Sequence, residues 1–237
     1  MSLQKDVDRV NLPKKEVLFQ GKSVVITGGA SGIGHALVEQ FQNLGAQVLV
    51  VDISAGDQLP ENVSFLQVSV ADKVGLESKP SLGNIDLLII AAGVTSETNN
   101  PTQKEQATMH AVNVVGVQNT LDVLGSLLGP EAQLVFIGSD NPPKVYYSET
   151  KKLGAQLVRD FAQENKHIDT RIVLLGPVRT KLFEKGKSPE DIRRIEGNVG
   201  LYEPDEFANE LIERLAQRSE SQAGLQEIVM YKTITNG

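Results

Sequence analysis

Thr27-Gly28-Gly29-Ala30-Ser31-Gly32-Ile33-Gly34 decides how the rest of the chain is read. It follows directly on a short β-branched run, Ser23–Thr27, and leads into a segment where Ile33, Ala36, Leu37, Phe41 and Leu44 recur at helical spacing. A strand-to-helix turn is expected, with Gly45 closing the helix. At such a turn Gly28 can take backbone angles barred to other residues, Gly32 lets the chain approach a ligand closely, and Gly34 permits tight helix–strand packing. The free N–H groups at the helix start, near Ser31 and Ile33, then face a pyrophosphate.

Working outward, Asp52 ends the next apolar run about 20 residues on, where a carboxylate can accept hydrogen bonds from the ribose hydroxyls of an adenine dinucleotide. A 2′-phosphate there would meet like charge. No basic residue stands at Ala30, Ser31 or Ile53 to receive it, so NAD is expected over NADP.

Short apolar runs alternate with longer helical patterns through the whole chain, which predicts successive βαβ units and a Rossmann-type, doubly wound parallel sheet. About seven strands are expected: Ser23–Thr27, Gln47–Asp52, Val63–Val70, Asp86–Gly93, Gln133–Ser139, Thr170–Gly176 and Glu227–Tyr231. Runs such as Leu87-Leu88-Ile89-Ile90 are apolar on successive residues, as suits strands covered on both faces. Further helices are expected at Gln103–Leu128, Ser148–Gln163 and Pro204–Ala216, while Gly75, Pro80 and Gly83 leave room for only a short one within Ala71–Asn84.

A chain of 237 residues can bury one substantial core. One domain over 21–237 is expected, behind an amino-terminal extension over 1–20. Glu16-Val17-Leu18-Phe19-Gln20-Gly21 has the form of a protease-site remnant, but Gly21-Lys22 makes a plausible turn into the next strand and the segment is read as native. The net charge of −7 argues against nucleic-acid and anionic-membrane surfaces. The absence of cysteine rules out disulfides and thiolate chemistry, and His35, His110 and His167 are too scattered for a metal site. No apolar run reaches a membrane span, and Met1 to Gln20 carries charges throughout, so a cytoplasmic protein with a small-molecule partner is expected.

Tyr147 and Lys151 stand four residues apart at the start of a predicted helix, on one face. A free tyrosine titrates near ~10 and works as a base at neutral pH only beside a cation, which Lys151 can supply. Ser139 ends the fifth predicted strand, at the carboxyl edge where open α/β sheets bind ligands, and its hydroxyl could orient a carbonyl.

With these residues in view, the chain resembles the short-chain dehydrogenase/reductase family from about Gly21 to Leu215. The family's Thr-Gly-x-x-x-Gly-x-Gly turn is similar to Thr27 to Gly34, and its tyrosine–lysine motif to Tyr147-Ser148-Glu149-Thr150-Lys151. Asn113 matches its catalytic asparagine, Ser139 its serine, and Gly176-Pro177-Val178-Arg179-Thr180 its nicotinamide-contacting segment. The resemblance implies hydride transfer between nicotinamide and a carbonyl or alcohol carbon, with Tyr147 passing the proton and Lys151 and Asn113 holding a water-linked path behind it. It also implies cofactor contacts at Ser69, Val70, Ala92, Gly93, Gly176, Val178 and Thr180, besides Tyr147 and Lys151. A homodimer or homotetramer is implied, joined through the long helices Gln103–Leu128 and Ser148–Gln163.

Four departures stand against the family pattern: Ile90-Ala91-Ala92-Gly93 in place of Asn-Asn-Ala-Gly, Ser69 in place of an aspartate, Leu175 in place of a proline, and a short Asn141-Pro142-Pro143 passage between Ser139 and Tyr147. The last could displace the serine from the tyrosine and reduce activity. A catalytically weak dinucleotide sensor is therefore a second reading, and a nucleotide-sugar epimerase or dehydratase a third, for which there is little room. Arg179, Lys181, Lys185, Lys187, Arg193 and Arg194 outnumber Glu184, Glu190 and Asp191 in the expected lid, which suggests an acidic substrate as against a merely solvated face.

Overall fold

The computed structural model describes residues 15–56, 58–79, 82–140, 144–217 and 224–232. The Asn141-Pro142-Pro143 passage, Pro80 and residues 1–14 of the expected extension lie outside them.

Among the described residues, seven strands form one parallel sheet in the order β3-β2-β1-β4-β5-β6-β7. They are β1 Ser23–Thr27, β2 Gln47–Asp52, β3 Ser64–Gln67, β4 Ile85–Ile90, β5 Leu128–Ile137, β6 Asp169–Leu175 and β7 Gly224–Met230. Alternation along each strand explains the continuous apolar runs. Val24 and Ile26 face one core with Val48 and Val50, whereas Val25 faces the other with Leu49 and Val51. The helices α2 Gly32–Asn43 and α9 Pro204–Ala216 cover the first face through Leu37, Phe41, Phe207 and Leu211. The second face is covered by α5 Gly116–Val123 and α6 Val145–Glu164 through Val117, Leu121, Ala155 and Val158. Because β1 pairs with both β2 and β4, the chain leaves β1 in opposite directions and opens a crevice at the carboxyl ends of these strands.

Several elements differ from the sequence expectation. The strands β3, β4, β5 and β6 end one to three residues before their expected ends. Ladder-like bonds continue past the ends of β5 and β4: Gly138 N–H donates to Val173 O at 2.8 Å and Asp140 N–H to Leu175 O at 3.0 Å after β5, and Ala91 N–H to Thr27 O at 3.1 Å after β4. The expected helix over Gln103–Leu128 is broken into α4 Gln103–His110, a π turn at Ala111–Val115, α5 and a 3-10 turn at Gly125–Leu127, after which β5 has already begun. The π turn holds Asn113, whose side chain is bonded outside its own helix, and such wide turns recur at functional sites. The short crossover helix is α3 Lys73–Glu77, and α9 spans its expected range.

The helices α1 Lys15–Phe19, α7 Lys181–Glu184 and α8 Pro189–Val199 were not anticipated. Phe19 of α1 sits in the core, 5.1 Å edge-on from Phe41, and Gly21 N–H donates to Gly45 O at 2.8 Å. No helix among the described residues is long and apolar enough to cross a membrane.

Candidate active site

The crevice is a cavity of about 1030 Å³ that runs from the glycine turn to the lid. Gly28 and Gly32 have φ of 71° and 54°, in the region that favours glycine. A Cβ on Gly28 would lie 2.7 Å from the Ala92 backbone, and one on Gly34 2.1 Å from Gly28 O, so backbone passes backbone with no space between. The N-cap of α2, Ser31, makes no side-chain capping bond and the first turn holds no acidic residue. By contrast α3, α4 and α8 are capped by Asp72, Thr102 and Ser188. An exposed, uncapped helix start beside two left-handed glycines fits the phosphates of a dinucleotide. Asp52 is fixed beside it, its Oδ2 accepting from Ala30 N–H at 3.1 Å and Oδ1 from Ile53 N–H at 2.7 Å.

Ser139, Tyr147 and Lys151 line the middle of the same cavity. Helix α6 starts at Val145, three residues before its expected start, which puts Tyr147 in the first turn and Lys151 one turn deeper. Lys151 is 5% exposed. Its Nζ donates to Ile137 O at 2.7 Å and sits 4.7 Å from the Phe136 ring centroid. Burial pushes Lys151 down to about 8 and Tyr147 up to about 12, so the phenol stays protonated at neutral pH and can give a proton to a developing alkoxide.

Asn113 is fully buried behind this pair and does not line the cavity. Its Nδ2 donates to Val94 O at 2.9 Å and Thr150 Oγ1 at 3.0 Å, and its Oδ1 accepts from Val94 N–H at 2.9 Å. The Thr150 hydroxyl in turn donates to Tyr147 O at 2.9 Å. The side chain therefore fixes the loop after β4 to the first turn of α6. The remaining expected contacts, Ser31, Ile33, Ser69, Val70, Ala92, Gly93, Gly176, Val178 and Thr180, all line the cavity. A Cβ on Gly93 would make ordinary contact with Lys151 Nζ, 3.6 Å away, so Gly93 lies directly beside the lysine.

Two departures have local substitutes. With alanines at 91 and 92, the Ala92 amide donates to Thr27 Oγ1 at 3.4 Å, so β1 itself braces the loop. The Ser69 hydroxyl accepts from Ala71 N–H at 3.2 Å and shapes its own turn.

The lid is less basic than its composition suggests. Arg179 pairs with Glu203 at 2.7 Å and Glu196 at 3.0 Å, and Arg194 with Asp191 at 3.2 Å. Lys144, which the sequence reading passed over, lines the cavity together with Lys187 and Thr95. No local pattern marks Lys144 or Thr95; they meet only because α6 starts beside the loop after β4.

The short chain dehydrogenase family model matches residues 22–191. The chain belongs to the short-chain dehydrogenase/reductase family. It is 27% identical over 194 residues to the 3-oxoacyl acyl-carrier-protein reductase FabG of Thermotoga maritima, covering 70% of this chain and 78% of that protein. It is 33% identical over 92 residues to the short-chain dehydrogenase/reductase prx4 of Penicillium roqueforti, a match spanning 37% of this chain and 28% of that protein. The similarity to an uncharacterized short-chain type dehydrogenase/reductase of Sinorhizobium fredii spans 79% of this chain and 39% of that protein. The chain thus spans well under two thirds of the length of prx4 and of the Sinorhizobium fredii protein.

Among solved structures, a short chain dehydrogenase family protein from Francisella tularensis superposes with a TM-score of 0.74 at 23% identity, over 88% of this chain and 97% of the other. BdcA in complex with NADPH superposes at 0.73 and 22% identity, over 89% and 94%. At these identities the likeness is one of fold, and in this short-chain dehydrogenase/reductase the fold brings the glycine turn, Asp52, Ser139, Tyr147 and Lys151 to one cavity.

Proposed function

We propose that this protein is an NAD(H)-dependent oxidoreductase that transfers a hydride between nicotinamide and the carbonyl or alcohol carbon of a small molecule. The observation that carries the reading is the continuity of one cavity from the glycine turn to Ser139, Tyr147 and Lys151. The cofactor supplies the hydride when bound. Tyr147 gives the proton to the carbonyl oxygen in reduction, Ser139 orients that oxygen, Lys151 holds the nicotinamide ribose, and Asn113 positions the tyrosine turn through Thr150. NAD is preferred over NADP because the carboxylate of Asp52 is held in place by two amides and would repel a 2′-phosphate. Val115 and Leu153, exposed on the π turn and α6, support a homodimer or homotetramer through these helices. A cytoplasmic location goes with the acidic, cysteine-free composition.

The test is NADH oxidation against a carbonyl panel and NAD reduction against alcohols, for the parent and Tyr147→Phe, with titrations of NADH and NADPH. Turnover by the parent and a loss of at least ~100-fold in kcat in Tyr147→Phe, with NADH affinity retained, is expected. Tight NADH binding without turnover on any substrate would leave a dinucleotide sensor instead, and activity surviving in Tyr147→Phe would remove the tyrosine from the reaction.

A further inference from the structure

We propose that Thr95, Lys144 and Lys187 form a carboxylate subsite at the lid end of the cavity, so that the substrate is an oxo acid or hydroxy acid. The inference deepens the proposed oxidoreductase reading and rests on it for the identity of the reacting carbon.

Lys144 is the N-cap residue of α6, three positions before Tyr147, so its side chain leaves the same turn that carries the phenol. Its Nζ donates to Ser96 O and, at 3.2 Å, to Lys185 O. Lys185 Nζ donates to Thr95 O at 3.2 Å, and Lys187 Nζ donates to Phe183 O and lies 4.3 Å from the Phe183 ring centroid. Among the described residues each ammonium thus ends on a peptide carbonyl, not on a carboxylate. Glu97 and Glu105 act on Lys144, and Asp191 on Lys187, only as more distant charges, while Arg179 and Arg194 already have carboxylate partners. Burial and the repulsion of Lys187 and Lys185 push Lys144 down, and burial pushes Lys187 down.

The second observation is independent of charge. Thr95 is 9% exposed, lines the cavity, and its buried Oγ1 has no hydrogen-bond partner among the described residues. A buried hydroxyl without a partner is destabilising, and a ligand oxygen would relieve it. Two crowded cations and a donor without an acceptor are complementary to one group, a carboxylate, which takes charge-assisted bonds from both kinds of donor.

The probes are linear keto acids of increasing length, from 2-oxopropanoate through 4-oxopentanoate to 6-oxoheptanoate, each matched by its methyl ester and assayed with NADH. At least one acid should exceed its ester about 10-fold or more in kcat/KM, mainly through KM. In Lys144→Gln/Lys187→Gln the acid-to-ester ratio should fall toward one, and Thr95→Val should lower it in the same direction. An ester preference in every pair, or an acid preference that survives the double substitution, overturns the proposal. Calorimetric titration of the same acids into the NADH-loaded protein separates the two readings. Acid binding that weakens about 10-fold in the double variant, without turnover, supports the subsite while the oxidoreductase reading fails. Absence of acid binding overturns the subsite, as would a matching loss of NADH affinity in the double variant, which would assign the lysines to the cofactor.

Discussion

Replacing Lys151 by methionine should change how stability depends on pH. Lys151 carries its charge inside the core with one carbonyl acceptor and one aromatic face, and burial lowers it from 10.5 to about 8. At ~1.4 kcal/mol per pH unit, the folded protein holds that charge below pH 8 at a cost of about 3 kcal/mol. The unfolded chain keeps its proton up to about 10.5, so between those values it binds more protons than the folded protein and stability rises with pH. Methionine fills a similar volume and has nothing to titrate. Urea unfolding of the cofactor-free parent and Lys151→Met at about pH 7 and about pH 9.5 isolates the effect, because other groups cancel in the difference. The parent should gain about 2 kcal/mol on the variant over that interval, and the variant should be at least as stable as the parent at neutral pH despite losing a hydrogen bond. A difference that stays constant within ~0.5 kcal/mol would show that burial does not set the state of Lys151.

Three further outcomes follow from particular contacts. Gly34→Ala places a methyl group 2.1 Å from Gly28 O and should cost about 2 kcal/mol, lowering Tm by roughly 4–8 °C, with a loss of NADH affinity measured by fluorescence titration. Arg171→Ala removes the guanidinium partner of the fully buried Asp169, which takes bonds from Arg171 Nη2 at 3.0 Å and Gln133 Nε2 at 2.9 Å and keeps the second; urea unfolding should show a loss of about 3 kcal/mol. Asp52→Ser should bring the dissociation constants of NADPH and NADH together by about 10-fold or more, and an unchanged ratio would refute Asp52 as the selector.

The parts that were legible in the sequence are those written in backbone geometry and periodicity. The ranges of β1 and β2, the glycine turn and the position of Asp52 all follow from local patterns close together in the chain. The break in the helix after Gln103 was not legible, because Ala111–Val115 is as apolar as any helix interior and its wide turn depends on Asn113 reaching Val94 and Thr150. α8 did carry signals, Ser188 before Pro189 with Asp191 closing a capping box and Ile192, Ile195 and Val199 at helical spacing, but its apolar side is not buried in the core, and Ile195 and Val199 line the cavity instead.

The same division runs through the cavity. Its cofactor end is made by strand ends and a helix start, elements that the sheet fixes whatever the side chains do. Its lid end is made by side chains crossing between distant segments, Lys144 to Ser96 over 48 positions and Lys185 to Thr95 over 90. Lysines at such positions look like ordinary surface charge until the fold shows that they end on carbonyls, and arginines in the same segment look free until Glu196 and Glu203 are found against Arg179. Counting charges along the lid therefore points toward an acid for the wrong reason: pairing removes Arg179 and Arg194, and burial selects Lys144 and Lys187. What favours an anion there is two lysines that end on peptide carbonyls and a threonine hydroxyl with no partner among the described residues, and Lys144 stands one helical turn from the tyrosine.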